Sequence, residues 1–183
     1  MNDLKIINND PFLATCNKEL KDHLAWEEMI REHASYDQKK TSIRLERAYC
    51  RVYQPSHMGK DDFLPLQEYL LKIVEEMIDR LGLRDGREFY LEEGTWGLIY
   101  ADGESCGPHG HGRTNEYAGV YYLNAEPGCG TIFFPDMKKE IEPKSGDLIL
   151  FGSRVQHGVM PNTIKGSERV CVAFNVKKKN EPV

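Results

Sequence analysis

The sequence lacks every cysteine arrangement that would indicate a disulfide framework or a thiolate metal site. Its five cysteines are odd in number, and no two of them have Cys-x-x-Cys spacing. They are Cys16, Cys50, Cys106, Cys129 and Cys171. We therefore expect free thiols, as in proteins of the reducing cytoplasm.

Long apolar runs are also missing. Nowhere do about 18 apolar residues occur together, and the amino terminus does not join a charged lead to an apolar run. The sequence therefore predicts neither a membrane span nor an export signal, and we expect a cytoplasmic protein.

No single sign of charge dominates the chain. The net charge of -5 arises from mixed Lys, Arg, Asp and Glu, which argues against a nucleic-acid-binding surface. The one basic run, Lys177 to Lys179, is interpreted as part of a solvated tail.

The chain does contain enough apolar sequence for one sizeable core. A length of 183 residues with 40% hydrophobic content predicts a single domain over 1–183. Within it we expect N-terminal helices and a supporting strand over 1–86, a jelly-roll core over 87–176 and a basic tail over 177–183. The oligomeric state is not indicated by the sequence.

The N-terminal part has two helical patterns. Their spacing predicts a first helix from 17 to about 34 and a strand over 41–54, after a short lead-in over 1–16. The apolar stripe of the second helix runs from 66 to 81, with Pro65 in its first turn and Gly82 at its end. Asn17 is the expected N-cap of the first helix. The second helix has a one-sided apolar stripe, so we expect it to pack as a buttress on a sheet.

The remainder of the chain is β-like. Eight short strands separated by Gly and Pro turns suit a mainly β fold, a double-sheet jelly roll with the N-terminal helices packed on one sheet. The predicted strands are 87–92, 95–101, 117–124, 130–134, 139–142, 147–151, 155–160 and 169–176.

The feature that indicates function is a His-x-His pair on a glycine-rich stretch. Side chains at i and i+2 of an extended segment point to the same side, so His109 and His111 can reach one metal ion. His157 begins a later strand and can complete one face of an octahedron, which leaves positions open for a substrate and oxygen. A purely structural role, hydrogen bonding of loop backbone by the two histidines, stays open at this point.

An arginine follows the third histidine. Arg169 opens a β run whose alternation would bury some side chains inside a barrel, and a buried guanidinium is costly unless an anion meets it. Its fork of donors matches a carboxylate. A dicarboxylate that chelates the metal at one end and pairs with Arg169 at the other would explain both features, whereas an exposed strand-end arginine is the alternative.

Over 96–176, nearly half the chain, a series of motifs occurs in order. They are His109-Gly-His111, Ala118-Gly-Val-Tyr-Tyr122, Pro143-Lys-Ser-Gly146-Asp-Leu-Ile-Leu-Phe151-Gly-Ser153, His157, Pro161-Asn162 and Arg169 to Asn175. This series resembles the 2-oxoglutarate and iron(II)-dependent oxygenases, and most closely a prolyl-hydroxylase-like branch, common in bacteria and phages, that has a His-x-His motif.

The resemblance implies a role for each matching residue. His109 and His157 would bind iron, Arg169 would pair with the distal carboxylate of 2-oxoglutarate, and Tyr122 occupies the place of a tyrosine that helps hold that carboxylate. Tyr100 could approach the co-substrate as well. The implied activity is a dioxygenase reaction that uses O2, releases succinate and CO2 and, by default, hydroxylates a small molecule or protein side chain.

The departure from the pattern of the wider superfamily is at position 111, where most members have Asp or Glu. We predict that Fe(II) is held by His109, His111 and His157, which leaves the metal centre one unit more positive than a carboxylate would. Halogenating members have a small residue at this position to admit chloride. Halogenation is therefore not favoured, because His111 would fill that space.

Two other functions are kept as alternatives. Gly103, His109, His111 and Glu116 also fit the first cupin signature, which would give a three-His or three-His-one-Glu metalloenzyme that does not use 2-oxoglutarate. The third possibility is a non-catalytic metal-binding module. Candidate substrate contacts are Trp96, Arg113, Asn115, Asn124 and His57.

Overall fold

The computed structural model describes residues 2–35, 48–53, 64–91, 95–112 and 115–179. The described helices are α1 (His23–His33) and α2 (Leu64–Arg80). The described strands are β1 (Asn2–Asn9), β2 (Phe12–Asn17), β3 (Ala48–Tyr49), β4 (Arg51–Tyr53), β5 (Phe89–Leu91), β6 (Trp96–Tyr100), β7 (Ser105–His109), β8 (Tyr117–Asn124), β9 (Ile132–Phe134), β10 (Lys139–Ile141), β11 (Asp147–Gly152), β12 (His157–Val159) and β13 (Arg169–Lys178).

The strands form two antiparallel sheets. The major sheet has the order β1-β2-β11-β8-β13-β6-β4, and β5 pairs with the far part of β13. The minor sheet has the order β10-β9-β12-β7-β3. Two sheets with helices on one side of the larger one confirm the predicted jelly roll with flanking helices.

The major sheet has an apolar core on each of its faces. The helix-side core joins the buried faces of α1 and α2 to one face of the major sheet. The inter-sheet core contains residues from both sheets. Its members are Leu13, Cys50, Val52, Leu98, Tyr100, Cys106, Ala118, Val120, Tyr122, Ala125, Cys129, Ile132, Phe134, Ile149, Phe151, Val155, Cys171 and Ala173.

The predicted buttress helix is confirmed as α2. Its buried residues repeat at three- and four-residue steps and belong to the helix-side core, so the amphipathic stripe covers a sheet face as expected. They are Leu66, Leu70, Ile73, Val74, Met77 and Ile78. Pro65 lies in the first turn, and Gly82, two residues beyond the end of α2, has a φ of 67°.

The segment over 1–16 was predicted to be a lead-in, and this prediction is wrong. Residues 2–16 form most of a β-hairpin of β1 and β2. β2 also pairs with β11, so it lies between two strands and is buried on both faces. Such a strand shows no alternation of apolar and polar residues. The edge strand β1 is largely polar, so neither strand gave a recognisable pattern.

Two further boundaries differ from the predictions. Asn17 is not a helix cap but ends β2, where its Nδ2 donates to Oδ1 of Asp147 at 2.8 Å. The first helix therefore begins at His23. β13 continues to Lys178, whose Nζ donates to Glu116, so the basic run is not simply a solvated tail.

The strand predictions after residue 86 agree with the structure, because each of the eight overlaps an observed strand. β7 was not predicted, since it contains Gly107 and Pro108, which are disfavoured in strands. Of the strand predicted over 41–54, β3 and β4 are observed with a bend at Cys50 between them, and 41–47 and 54 lie outside the described residues. Within the described ranges, no helix combines the length and apolar character needed to cross a membrane.

The five cysteines are free and buried, which confirms the expectation of unpaired thiols. Burial raises the pKa of Cys16 and of Cys171 to about 12 each. A thiol must reach the reagent and ionise in order to react.

We therefore expect no rapidly reacting thiol when the native protein is mixed with Ellman's reagent at pH 8. All five thiols should react at once in guanidinium chloride, which serves as the control. A fast phase in the native protein that corresponds to one or more thiols would contradict the burial of all five cysteines.

Gly119 in β8 is required by close packing. A Cβ atom added there would lie 2.4 Å from Cζ of Phe174 in the helix-side core. At Gly152, by contrast, an added Cβ would be 3.6 Å from Cγ2 of Val155, which is an ordinary contact.

Gly119→Ala is therefore predicted to lower the free energy of unfolding by about 1–3 kcal/mol, the usual cost of overpacking a core. Gly152→Ala is the matched control and should change stability much less. Denaturant unfolding measures both. Equal stability of the two variants would show that Phe174 does not lie against Gly119.

Candidate active site

The structure brings the three predicted histidines together. His109 ends β7 and is the antiparallel partner of His157, which begins β12. His111 follows β7, and its backbone N–H donates to the carbonyl of Ser153 at 2.9 Å. One ligand atom from each ring lies within 4.8 Å of the others. The Nε2 atoms of His111 and His157 are 3.2 Å apart.

Backbone carbonyls orient two of the rings. Nδ1 of His109 lies 3.0 Å from the carbonyl of Gly107, and Nδ1 of His157 lies 3.1 Å from the carbonyl of Val155. An Nδ1–H that donates to a carbonyl leaves the lone pair on Nε2, which is the state that binds a metal. Burial, and then the neighbouring imidazoles, hold the pKa of His157 well below its ordinary value, so this ring is neutral.

Apolar rings surround the histidines. The ring centroid of Phe151 is 4.4 Å from that of His157, and Trp96 is 6.2 Å from His111. Asn115 donates from Nδ2 to the carbonyl of His111 at 3.3 Å, which holds the segment after the His-x-His pair. A shell of this kind limits water around the three ligand atoms.

Arg169 lies inside the barrel, as predicted, and is 1% exposed. It is the strand partner of Tyr100, whose ring centroid is 4.5 Å from Cζ of the guanidinium. Nη1 donates to the carbonyls of Cys129 and Gly130, both at 3.0 Å. Nε and Nη2 are buried and have no partner among the described residues. Leaving such donors unsatisfied is costly, particularly on a charged group.

Arg169 and the histidines face the same interior. Along β13, Arg169 and the next alternate residues, Cys171 and Ala173, point to the inter-sheet side of the sheet. Phe151, which contacts His157, belongs to the same core. The cation therefore lies at one end of an apolar interior and the three imidazoles lie towards the other.

The two predicted tyrosines lie beside the guanidinium. Tyr122 is 1% exposed and pairs with Cys171 across β8 and β13. Burial raises the pKa of Tyr122 well above its usual range, so its phenol stays protonated and can donate a hydrogen bond. Tyr100 has the face of its ring against Arg169.

Other sequence candidates lie elsewhere. Glu116 is exposed, and its Oε1 pairs with Nζ of Lys178 at 2.8 Å, so it does not belong to the histidine cluster. Nδ2 of Asn124 donates to the carbonyl of Glu168. Gly103 forms a turn in which its N–H donates to the carbonyl of Asn162. His57 and Arg113 are outside the described residues.

Two residues of the site, Ser153 and Asn175, were not assigned a role from the sequence. Ser153 binds the loop carrying His111, because its Oγ donates to the carbonyls of Gly112 and Asn115. Asn175 is 3% exposed, and its Oδ1 has no partner within the described chain. The alternation of β13 could have indicated that Asn175 shares a face with Arg169. Nothing in the local sequence indicates the role of Ser153, because its partners are about forty residues away.

Comparison with known proteins agrees with this geometry. The sequence family described as "Putative 2OG-Fe(II) oxygenase" matches residues 135–175, a segment that contains His157 and Arg169. No curated protein sequence matches the chain.

Solved structures that share the fold include three prolyl hydroxylases. A prolyl-4-hydroxylase from Pseudomonas putida is 19% identical over 92% of this chain and 93% of its own, with a TM-score of 0.61. A viral collagen prolyl hydroxylase from Paramecium Bursaria Chlorella virus-1, solved with 2-oxoglutarate, is 18% identical over 93% and 98%, with a TM-score of 0.62. A prolyl hydroxylase from Trichoplax adhaerens, in complex with a hypoxia inducible factor peptide fragment, is 18% identical over 92% and 84%, with a TM-score of 0.65.

At these identities the solved structures establish a common fold. The family match adds the segment with the third histidine and the buried arginine. The match over 135–175 and the shared fold together confirm the resemblance to the 2-oxoglutarate and iron(II)-dependent oxygenases, whose cofactors are Fe(II) and 2-oxoglutarate.

Proposed function

We propose that this protein is a dioxygenase that holds Fe(II) with His109, His111 and His157 and binds the distal carboxylate of 2-oxoglutarate with Arg169. One observation carries the proposal. The guanidinium is almost fully buried, and two of its nitrogens, Nε and Nη2, have no partner among the described residues, in the same interior as the histidine cluster.

The donor set suits a catalytic iron. Two ligands at right angles on metal bonds of about 2.1 Å are about 3 Å apart, and the Nε2 atoms of His111 and His157 are separated by 3.2 Å. Three ligands on one face leave the opposite positions open for a chelating co-substrate and oxygen. When bound, Fe(II) supplies oxygen activation coupled to conversion of 2-oxoglutarate into succinate and CO2.

The free edge of Arg169 suits a carboxylate. Nε–H and Nη2–H point along one side of the planar guanidinium, and this edge can donate two parallel hydrogen bonds to one carboxylate. The other side of the fork is held by the carbonyls of Cys129 and Gly130. The protein therefore fixes the orientation of the guanidinium, while the edge formed by Nε and Nη2 stays available for a carboxylate.

The remaining residues exclude water and orient the ligand. Tyr122 supplies a protonated phenol beside Arg169, and the ring face of Tyr100 packs against the guanidinium. Trp96 and Asn115 lie next to His111, so they are the described residues best placed to contact a substrate close to the metal. We propose hydroxylation of an organic substrate, either a small molecule or a protein side chain, as the outcome.

The direct test is oxygen consumption by the iron-loaded protein with and without 2-oxoglutarate. The proposal predicts uptake that depends on 2-oxoglutarate and yields succinate, even at the slow rate of turnover without substrate. Uptake independent of 2-oxoglutarate would favour the cupin-type alternative. Tight binding of iron and 2-oxoglutarate without any succinate would favour a non-catalytic binding module.

Arg169→Ala is predicted to weaken 2-oxoglutarate binding about 100-fold, because the loss of a bidentate charged pair costs about 3 kcal/mol. Affinity for Co²⁺ in the absence of 2-oxoglutarate should not fall, since Arg169 is not a metal ligand. Calorimetric titration measures both quantities.

Arg154→Ala is the matched control, because Arg154 is exposed and lies three residues before His157. It should bind 2-oxoglutarate as the unaltered protein does. Equal 2-oxoglutarate affinity of the Arg169→Ala variant and the unaltered protein would remove Arg169 from the proposed site.

A further inference from the structure

The histidine cluster contains no acidic side chain. Its three members are His109, His111 and His157, and no Asp or Glu of the described chain belongs to it. Each imidazole binds a metal in its neutral form. The proposed site therefore provides three good donor atoms and no negative charge.

The acids around the site are occupied elsewhere. Glu104 is the one buried acid in the described ranges, and its Oε2 accepts the N–H of Ala101 at 2.7 Å, at the end of β6. Glu116, five residues after His111, faces solvent and pairs with Lys178. Neither carboxylate is part of the metal group.

Positive charge, in contrast, accumulates in the interior. A divalent ion adds two units to the one unit carried by buried Arg169. Uncompensated charge in a poorly hydrated site is costly, because the hydration lost on burial must be replaced by opposite charge and hydrogen bonds. Among the described residues Glu104 is the one buried carboxylate, and no carboxylate belongs to the metal group itself.

We propose that His111, by being neutral, makes metal binding depend on 2-oxoglutarate. The dianion would bring one negative charge to the metal and one to Arg169, and it would offset two of the three positive units that the metal and the guanidinium carry together. The inference rests on the proposed function, and it adds a regulatory property to the same site.

Thermodynamic linkage gives the proposal a measurable form. If 2-oxoglutarate raises the affinity for the metal by some factor, the metal raises the affinity for 2-oxoglutarate by the same factor. A carboxylate at position 111 would neutralise part of the metal charge in advance, so this coupling factor should fall. The protein would then retain its metal when 2-oxoglutarate is scarce.

The test measures the dissociation constant of Co²⁺ by calorimetry, with and without saturating 2-oxoglutarate. Co²⁺ is used because it allows binding to be followed without turnover. The variants are His111→Asp, which adds a negative oxygen ligand, and His111→Asn, which adds a neutral oxygen of the same size. His23→Asp at the start of α1, away from the cluster, is the control for a new acid on the protein.

The proposal predicts a coupling factor at least tenfold larger in the unaltered protein and in His23→Asp than in His111→Asp. His111→Asn should couple like the unaltered protein, even if it binds Co²⁺ more weakly overall. Circular dichroism checks the fold of each variant, and His111→Glu replaces His111→Asp if the latter does not fold.

The outcomes separate the two proposals. Equal coupling factors in His111→Asp and the unaltered protein would overturn the role of His111 while leaving the proposed function intact. The role of His111 would also be overturned if His111→Asn had a coupling factor as low as that of His111→Asp. Ligand geometry, and not charge, would then be responsible for the change. Failure of 2-oxoglutarate to bind the Co²⁺-loaded unaltered protein would instead refute the proposed function itself.

Discussion

The buried guanidinium of Arg169 is the feature on which the rest of the site depends. It lies against the ring of Tyr100 and donates to two carbonyls of the segment at Cys129 and Gly130. Removing a full charge from water is tolerated only where such partners and an anion are supplied. The fixed fork, the protonated phenol of Tyr122 and the apolar interior are all consistent with one elongated dicarboxylate.

The major sheet packs against the helices on one face and against the minor sheet on the other, and the site lies on the second face. Alternate residues of β13 serve different cores: Val170, Val172 and Phe174 pack under the helices, whereas Cys171 and Ala173 face the minor sheet. The helix-side core supplies the apolar burial that stabilises the sheet. The other face can then carry a cation and small side chains.

The sequence predicted the parts of this arrangement that follow from local patterns. The stripe of α2 and the strands after residue 86 have clear periodicity. The hairpin of β1 and β2 could not be predicted, because β2 is buried on both faces and its neighbour β1 is polar. The start of α1 was misplaced, because Asn17 resembles a helix cap but serves a strand end through Asp147.

The same limit applies to the site. His109, His111, His157 and Arg169 were recognisable by residue type and spacing, and the structure brings the three histidines into one cluster. Long-range features such as the contact of Ser153 with the loop at Asn115 depend on tertiary structure and leave no local signal. The sequence also left the role of Glu116 open, because the cupin spacing made it a candidate metal ligand. In the structure Glu116 instead forms a surface ion pair with Lys178.

The central claim is that three neutral imidazoles and one buried guanidinium form a single site for a metal and a dicarboxylate. An anaerobic crystal structure of the protein with Fe(II) and 2-oxoglutarate tests it most directly. The claim predicts Nε2 of His109, His111 and His157 on the iron and one carboxylate of 2-oxoglutarate on Nε and Nη2 of Arg169. A structure in which His111 does not coordinate, or in which the carboxylate binds elsewhere, would contradict it.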